Sequence, residues 1–272
     1  QYNPTVGDLN GNLSKTIEYI EKAKEKKCDL VVFPELSLTG YPPRDLLLRD
    51  DFLRACDRAL QEIIPYTKGI GVIVGTVIDD GNGFLIHNSA LLIHDERIIG
   101  RVDKSLLPNY DVFEEARYFQ PSKQVNCIEF KGMRLGISIC EDIWNDEVVF
   151  GQKRYSRNIL DELYAHNPDI FINLSASPYH YGKHEIRKEM LTHYTKKYGI
   201  PFIYVNQIGG NDELVFDGSS MVYDADGQLI LHGKSFEEDM IIYDTDKSYP
   251  NISDWKEDIS WLYRGLVYGV RD

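Results

Sequence analysis

The sequence predicts an α/β fold, because segments with apolar residues at helical spacing alternate with short apolar runs that are typical of strands. Leu13, Ile17, Ile20 and Ala23 recur at helical spacing, and the apolar run at 30–33 follows them directly. The chain has 272 residues, 43% of them hydrophobic, which is enough to bury one large core. Since no linker-like stretch interrupts the sequence, we expect a single domain over 1–272.

The later elements continue this alternation. A helix is predicted over 46–64, a strand over 70–78, and a turn at 79–83 that joins this strand to the next. Runs at 90–93 and 97–99 predict a hairpin around 94–96. Helices near 156–166 and 185–198 precede strands at 170–174 and 202–205, and the last third of the chain is mostly strands and turns.

Charge and cysteine content restrict the class of protein. A net charge of −13 and a pI near 5.0 argue against nucleic acid as a partner. The four cysteines, Cys28, Cys56, Cys127 and Cys140, form no Cys-x-x-Cys pair, which suits a reducing, cytoplasmic location. The sequence shows neither a signal peptide nor an apolar run of membrane-spanning length, so no membrane partner is expected.

Three predicted strand ends each carry a reactive side chain. The run at 133–139 leads to Cys140, the run at 30–33 leads to Glu35, and the segment 97–103 leads to Lys104. Ligands of open α/β sheets bind outside the carboxyl ends of strands, so these side chains are placed for chemistry. Taken singly, Cys140 reads equally well as a buried thiol, and Glu35 and Lys104 as solvated surface charges.

A thiol, a carboxylate and an amine are what amide hydrolysis through a thioester requires. A free thiol, with a pKa of about 8.5, is mostly protonated at neutral pH and needs a base, for which Glu35 is the candidate. Lys104 and the backbone N–H of Glu141 are candidates for stabilising the oxyanion. Glu35 can then return its proton to the leaving nitrogen.

The flanks of these residues resemble the Glu-Lys-Cys signatures of the nitrilase superfamily of carbon–nitrogen hydrolases. The matching strings are Phe33-Pro34-Glu35, Lys104 with Leu107-Pro108, Phe113 with Glu115, and Ile139-Cys140-Glu141-Asp142. Longer strings at 34–47, 107–119 and 173–178 resemble the glutaminase domains of glutamine-dependent NAD synthetases. The resemblance implies a nitrilase-like four-layer α-β-β-α sandwich that forms homo-oligomers through its helical faces.

The resemblance also assigns roles. It implies that Glu35 is the general base, Lys104 the oxyanion stabiliser and Cys140 the nucleophile. Glu115 becomes a second carboxylate that orients Lys104, although Glu114 stands beside it and only the phenylalanine two positions before Glu115 favours this choice.

A pocket for L-glutamine is implied as well. Its predicted substrate-binding residues are Tyr110, Glu141, Ser177 and Lys183, with Tyr110, Ser177 and Lys183 meeting the α-amino and carboxylate groups. Lys183 supplies only a point charge where an arginine would bind a carboxylate with two donors. The alternative for Lys183 is a solvated loop lysine.

No metal or cofactor is expected for this domain. His180 and His184 lie four apart, but Pro178 and Gly182 argue against a continuous helix through both histidines. Ser138 lies within a predicted strand and lacks the glycine-flanked turn that a serine nucleophile needs.

The ATP-using half of a glutamine-dependent NAD synthetase would carry a phosphate loop that reads Ser-Gly-Gly followed by an acid and a serine. The sequence has no such string, and the nearest lookalike, at 227–235, has one residue too many between its glycines and follows a turn. Because the chain starts at Gln1 and stops just past the aromatic segment 261–268, a domain cut from a longer protein is expected. ATP and magnesium would then belong only to the missing synthetase domain, which would use the ammonia to convert deamido-NAD to NAD.

Three functions remain open at this point. The first is a glutaminase that supplies ammonia to a synthetase domain of the same protein. The second is a free-standing amidase or carbamoylase that acts on another small amide. The third is a catalytically idle scaffold, against which the joint presence of Glu35, Lys104 and Cys140 argues.

Overall fold

Two β-sheets lie face to face at the centre of the molecule, and helices cover the outer face of each sheet. The computed structural model describes residues 1–81, 83, 85–252 and 256–272. This order of layers confirms the predicted α/β class and the α-β-β-α sandwich.

The helices and strands alternate along the first two thirds of the chain. The helices are α1 (Leu9–Glu25), α2 (Asp50–Ile63), α3 (Glu147–Phe150), α4 (Ile159–Tyr164), α5 (Lys183–Tyr198) and α6 (Ile259–Arg271). The strands are β1 (Leu30–Val32), β2 (Gly71–Asp79), β3 (Ile86–His94), β4 (Arg97–Asp103), β5 (Ile128–Phe130), β6 (Met133–Ile139), β7 (Ile170–Ser175), β8 (Phe202–Asn206), β9 (Ile208–Asn211), β10 (Leu214–Asp217), β11 (Met221–Tyr223) and β12 (Leu229–His232).

The first sheet has the order β1-β2-β3-β4, with β1 parallel to β2 and the other pairs antiparallel. The second sheet has the order β12-β11-β8-β7-β6-β5, in which β6, β7 and β8 are parallel neighbours and the outer strands are antiparallel. β9 and β10 form a separate two-stranded ribbon. Since β6, β7 and β8 run in the same direction, their carboxyl ends meet at one edge of the second sheet.

Three apolar layers hold the sandwich together. Between the sheets, Ile73 and Leu92 of the first sheet pack in one cluster with Ile137 and Ile172 of the second sheet. α1 and α2 pack on the first sheet, and α4 and α5 pack on the second sheet. The core therefore spans all four layers. Strand β4, which precedes Lys104, and strand β6, which precedes Cys140, both contribute side chains to the layer between the sheets.

Most predicted elements lie where the sequence placed them, with three differences. The predicted helix over 46–64 is divided into a 3-10 turn, Arg44–Leu48, and α2. The helix near 156–166 is shorter, because Asn158 caps α4 by accepting a hydrogen bond from the Asp161 N–H at 3.1 Å. The aromatic segment 261–268 lies in helix α6, which the prediction of strands and turns in the last third did not include.

Two smaller expectations concern turns. The turn at 79–83 joins β2 to β3, but Asn82 within it lies outside the described residues. The rejected phosphate-loop lookalike is a turn followed by strand β12, as predicted. Within the described part of the chain, no helix combines the length and apolar character needed to cross a membrane.

Candidate active site

Cys140 lies where β6 ends and a 3-10 turn, Cys140–Ile143, begins. Its backbone has a φ of 41°, a left-handed conformation that is uncommon outside glycine. Such strained residues persist only where the surrounding structure holds them, and they concentrate at functional sites. The side chain is 7% exposed, so the thiol is shielded from bulk water.

The Glu35 carboxylate is fully buried and accepts hydrogen bonds on both oxygens. Asn88 Nδ2 and Lys104 Nζ donate to Oε1 at 2.7 and 2.8 Å, and the Ala176 N–H donates to Oε2 at 2.9 Å. Three donors on the two oxygens fix the orientation of the side chain. Glu35 is therefore held in one orientation towards Lys104.

Strand β2 passes directly against the turn that carries Glu35. A Cβ on Gly75 would lie 2.4 Å from the Pro34 carbonyl oxygen and 2.5 Å from the Leu36 nitrogen. Any other residue at position 75 would displace this turn. Because Gly75 has no side chain, the turn that carries Glu35 can lie directly against β2, and this close contact positions Glu35.

Lys104 follows β4 directly, and its ammonium group bridges two carboxylates. Nζ donates to Glu35 Oε1 at 2.8 Å and to Glu115 Oε1 at 2.7 Å. The Tyr41 hydroxyl donates to the same Glu115 oxygen at 2.7 Å. Since an ammonium group has three donors, one remains for another acceptor such as a developing oxyanion. The neighbouring Glu114 is exposed, so the structure places Glu115 rather than Glu114 in the cluster.

Burial and charge set the protonation states. Burial and the charge of Glu35 raise the pKa of the Cys140 thiol well above its usual value, whereas the charge of Lys104 lowers it. Burial alone would lower the pKa of Lys104, but the charges of Glu115 and Glu35 raise it well above its usual value. Burial raises the pKa of Glu115 to about 7, against the charge of Lys104. The resting site therefore combines a neutral thiol with a permanent cation, and a base must remove the thiol proton.

Asp142 links the chain segments that carry the cation and the nucleophile. Its Oδ1 accepts hydrogen bonds from the N–H groups of Ser105 and Leu106 at 3.0 and 2.8 Å. Its Oδ2 accepts from the Ile139 N–H at 3.0 Å. One buried carboxylate thus connects the residues after Lys104 to the residue before Cys140.

Glu141 and Tyr110 lie together beside the nucleophile. The Tyr110 hydroxyl donates to Glu141 Oε1 at 2.8 Å, and the Tyr155 hydroxyl donates to the same oxygen at 3.0 Å. The charge of Glu141 also acts on the Cys140 thiol and raises its pKa. Two predicted substrate-binding residues are thereby brought to the nucleophile.

Ser177 is held by its backbone next to the Glu35 contact. Its N–H donates to Asn206 Oδ1 at 2.9 Å, and its carbonyl oxygen accepts from Arg187 Nη2 at 2.8 Å. Arg187 is fully buried, and its Nη1 donates to both oxygens of Asp217 at 2.8 and 2.9 Å. The preceding residue, Ala176, supplies the N–H that binds Glu35.

Lys183 is the first residue of α5 and is partly buried, so the solvated-loop alternative is wrong. Its Nζ lies 4.0 Å from the centroid of the Trp144 ring, a cation–π contact. Burial and the charge of Arg187 lower the pKa of Lys183 to about 8, whereas the charges of Cys140 and Glu141 raise it. Lys183 therefore acts electrostatically on the same group of side chains, without a hydrogen bond to them in the described residues.

A cavity of about 320 Å³ borders the cluster on the side of Glu115 and Tyr41. Cys140 is not among the residues that line this cavity. Among the described residues, no group of three or more histidine, cysteine or carboxylate side chains is arranged to hold a metal ion.

The family model for carbon–nitrogen hydrolases matches residues 1–250. The chain belongs to the carbon–nitrogen hydrolase family. As a carbon–nitrogen hydrolase it is an enzyme, and the resemblance to the nitrilase superfamily is confirmed.

Within the carbon–nitrogen hydrolase family, the chain is similar to glutamine-dependent NAD(+) synthetases. The chain is 38% identical to the glutamine-dependent NAD(+) synthetase of Synechocystis sp. across 100% of its length, and 42% identical to that of Thermotoga maritima across 90%. These matches cover 51% and 41% of the two relatives. The chain therefore spans about half the length, or less, of these relatives.

Solved structures agree with this placement. The chain matches the glutamine-dependent NAD+ synthetase of Acinetobacter baumannii, solved with ADP, at 36% identity and a TM-score of 0.85, covering 100% of this chain and 50% of that one. A carbon–nitrogen hydrolase from Helicobacter pylori matches at 22% identity and a TM-score of 0.73 over 88% of this chain and 85% of that one, which shows a common fold.

Sequence reasoning missed several side chains that complete the site of this carbon–nitrogen hydrolase. The missed residues are Tyr41, Asn88, Asp142, Tyr155, Arg187 and Asp217. Tyr41 and Asp142 fall within the strings that carry the family resemblance, so a signal for these two existed. The other four reach the site only through the tertiary fold.

Proposed function

We propose that this chain is a thiol amidase that hydrolyses L-glutamine to glutamate and ammonia through a Cys140 thioester. The observation that carries the proposal is the Lys104 ammonium group bound between Glu35 and Glu115, a charged cluster that acts electrostatically on the Cys140 thiol at a strand end. The curated relatives that match the whole chain or nearly so are named glutamine-dependent NAD(+) synthetases, which supports glutamine as the substrate.

Acylation begins with proton transfer from the Cys140 thiol to Glu35. The sulfur attacks the side-chain amide carbon, and the carbonyl oxygen becomes an oxyanion. The third donor of Lys104 and the backbone N–H of Glu141 stabilise this charge, and each such donor contributes about 2.7–4 kcal/mol. Glu35 then gives its proton to the amide nitrogen, ammonia leaves, and a glutamyl thioester remains.

Deacylation repeats the same steps with water as the nucleophile. Glu35 takes a proton from water, the hydroxyl group adds to the thioester carbon, and Lys104 again faces the oxyanion. The C–S bond breaks, the sulfur recovers the proton from Glu35, and glutamate is released. Glu115 keeps Lys104 oriented, since both carboxylates hold the same ammonium group.

In the full-length protein we propose that the ammonia serves the ATP-dependent amidation of deamido-NAD to NAD. This role rests on the names of the relatives and on the share of their length that this chain spans. ATP and magnesium would be bound by the synthetase domain. Homo-oligomerisation through the helical faces stays a prediction.

Ammonia release tests the proposal. The protein is incubated with glutamine, asparagine and a carbamoyl amino acid, and Cys140→Ala is compared with the wild type. Cys28→Ala is the matched control, because Cys28 is a partly exposed thiol that makes no contact with the cluster in the described residues. Glutamine-selective release that only Cys140→Ala abolishes supports the proposal.

Other outcomes would assign the site differently. Preference for asparagine or the carbamoyl amino acid would indicate a free-standing amidase or carbamoylase. Activity that survives in Cys140→Ala would remove the thioester mechanism. An assay for NAD formation with ATP, deamido-NAD and ammonia is expected to stay silent for residues 1–272 alone.

A further inference from the structure

The N-terminus of α5 is capped by a carboxylate from a distant part of the chain. The capping position is held by Gly182, which has a φ of 87° and no side chain that could accept a hydrogen bond. The Gly182 N–H donates to Glu257 Oε2 at 3.0 Å, and the Tyr179 hydroxyl donates to Glu257 Oε1 at 2.7 Å. Glu185, whose position in the first turn usually supplies such a carboxylate, pairs with Lys188 at 3.9 Å instead. Glu257, two positions before α6, therefore takes the place of a local cap.

Helix α6 touches the same part of the chain at two further points. A Cβ on Gly265 would lie 3.1 and 3.4 Å from two carbons of the Tyr179 ring, so α6 passes directly over this ring. The Trp261 ring lies 5.6 Å from the ring of His184, the second residue of α5. The segment 179–184 is thus held by α6 and by the residue that leads into it.

This segment connects two predicted substrate-binding residues. Ser177 lies just before it, and Lys183 lies within it as the first residue of α5. Arg187, one turn further along α5, donates from Nη2 to the Ser177 carbonyl oxygen at 2.8 Å. A displacement of the start of α5 would therefore move Lys183 and disturb Ser177 together.

Helix α6 is attached to the rest of the chain by one narrow face. Of its residues, only Trp261 and Gly265 are buried. Parts of a protein with few buried contacts open or shift at low energetic cost. The other face of α6 is exposed and apolar, and it carries Ile259, Tyr263, Leu266 and Val270. α6 can therefore shift while the two sheets and their core stay in place.

We propose that Glu257 is a positioning residue for the glutamine pocket and that it couples the position of α6 to the affinity for glutamine. With α6 in place, the Glu257 carboxylate fixes the start of α5. With α6 displaced, α5 loses its cap, and the segment that carries Lys183 is no longer held. This inference rests on the proposed amidase function and deepens it, because it connects the pocket to a helix that carries none of the reactive side chains.

The physical basis is the double role of one carboxylate. A negative charge at the N-terminus of a helix interacts favourably with the helix dipole. Hydrogen bonds to an ionised acceptor are also stronger than those between neutral groups. Glutamine at position 257 would carry no charge and could accept on only one of its two terminal atoms, so it cannot serve both the Gly182 N–H and the Tyr179 hydroxyl.

The test measures ammonia release from glutamine by the wild type and Glu257→Gln at natural full length, together with the urea midpoint of each. In the described residues, no hydrogen bond joins Glu257 to Glu35, Lys104 or Cys140. We therefore expect KM to rise roughly tenfold while kcat stays close to the wild-type value. A purely structural role would lower the urea midpoint without changing KM.

Asp258→Asn is the matched control, because it neutralises the neighbouring carboxylate. Asp258 caps α6 by accepting from the Ser260 N–H at 2.7 Å, and asparagine retains an oxygen for this bond. This variant should change neither KM nor kcat. A rise in KM equal to that of Glu257→Gln would show that loss of charge near α6, and not the contacts of Glu257, is responsible.

Gly265→Leu tests the coupling without removing a hydrogen-bonding group. A leucine side chain there must push α6 away from Tyr179, so KM should rise as in Glu257→Gln. Because both changes interrupt the same connection, the double variant should raise KM no further than the more affected single variant. This second variant keeps the test decisive if Glu257→Gln does not fold.

The remaining outcomes count against the inference. An unchanged KM in both Glu257→Gln and Gly265→Leu would show that α6 does not act on glutamine binding. Additive effects in the double variant would show that the two residues act by separate routes. A wild type that releases no ammonia from glutamine would overturn the proposed function first, whereas an active wild type with unaffected variants would overturn this inference alone.

Discussion

Neutralising Asp217 should destabilise the protein strongly, because Asp217 balances a charge that has no access to water. Asp217 and Arg187 are both fully buried, and Arg187 Nη1 donates to both carboxylate oxygens at 2.8 and 2.9 Å. Asp217→Asn preserves the shape but leaves the guanidinium charge without a counter-charge. Breaking a buried pair in this way costs about 3–5 kcal/mol, which for a domain of this size lowers Tm by roughly 10 °C.

Urea unfolding followed by far-UV circular dichroism measures this loss. The matched control is Glu18→Gln, which breaks the Lys22–Glu18 pair on the exposed surface of α1. Since exposed ion pairs contribute little to stability, this control should barely move the midpoint. An Asp217→Asn midpoint no lower than that of Glu18→Gln would refute the reasoning.

A double variant separates stability from substrate binding. Arg187→Met with Asp217→Leu replaces both charges by apolar groups, which in comparable cases restores most of the stability. The Ser177 carbonyl then still lacks the hydrogen bond from Arg187 Nη2 at 2.8 Å and keeps only the longer one from Asn206 Nδ2 at 3.5 Å. We therefore expect a stable protein whose KM for glutamine is raised by roughly tenfold, as for the loss of a hydrogen bond from a charged donor. Recovery of both stability and KM would show that Arg187 does not position Ser177.

Three further predictions concern the charged cluster and Lys183. Lys104→Met should lower the free energy of unfolding by about 3–5 kcal/mol at pH 8, because two buried carboxylates lose their cation. The loss should be smaller at pH 5, where these carboxylates take up protons. Equal losses at both pH values would contradict this. The pKa of Glu115 is raised to about 7, so the folded protein binds its proton more tightly than the unfolded chain and loses stability as pH rises towards 7. Glu115→Gln should therefore show a smaller fall in urea midpoint between pH 5 and pH 8 than the wild type does, and identical profiles would argue otherwise. The pKa of Lys183 is lowered to about 8, so its side chain should lose its charge above that pH and kcat/KM for glutamine should fall in the wild type. In Lys183→Arg the fall should occur at higher pH, because arginine keeps its charge.

The elements that sequence predicted well are those with strong local signals. The helix with Leu13, Ile17 and Ile20 forms α1, because its apolar side chains share one face and Asp8 caps its first turn by accepting from the Gly11 N–H at 2.9 Å. The strand before Cys140 was predictable from the mostly apolar run over 133–139, whereas β4, before Lys104, is only strand-like because it also contains Arg101 and Asp103.

The elements that sequence predicted poorly depend on distant contacts. α6 begins behind the capping residue Asp258 and buries only Trp261 and Gly265, while apolar residues such as Leu266 and Val270 stay exposed, so its apolar pattern does not indicate which face packs on the protein. The short α4 starts late because the preceding loop is bound to Asn145, a contact that no local pattern indicates.

The same division applies to the site. Glu35, Lys104 and Cys140 carry a recognisable order and flanks along the chain. Asn88 and Tyr155 carry no such signal, because Asn88 enters through the pairing of β3 with β2 and Tyr155 through a loop. What the sequence could not indicate is how neighbouring strands and loops complete the environment of each reactive group.

The hydrogen bonds that Asp142 accepts from both chain segments affect which substitutions this protein can tolerate during evolution. Lys104 extends from the first sheet and Cys140 from the second, so their separation would otherwise follow the thickness of the apolar layer between the sheets. Three backbone N–H groups on the two sides share one carboxylate, and this contact sets the spacing locally. Substitutions far from Asp142 that thicken or thin the apolar layer can then change the thermal stability of the protein while the distance between Lys104 and Cys140 stays the same. The interior can therefore change in evolution without a loss of the catalytic geometry.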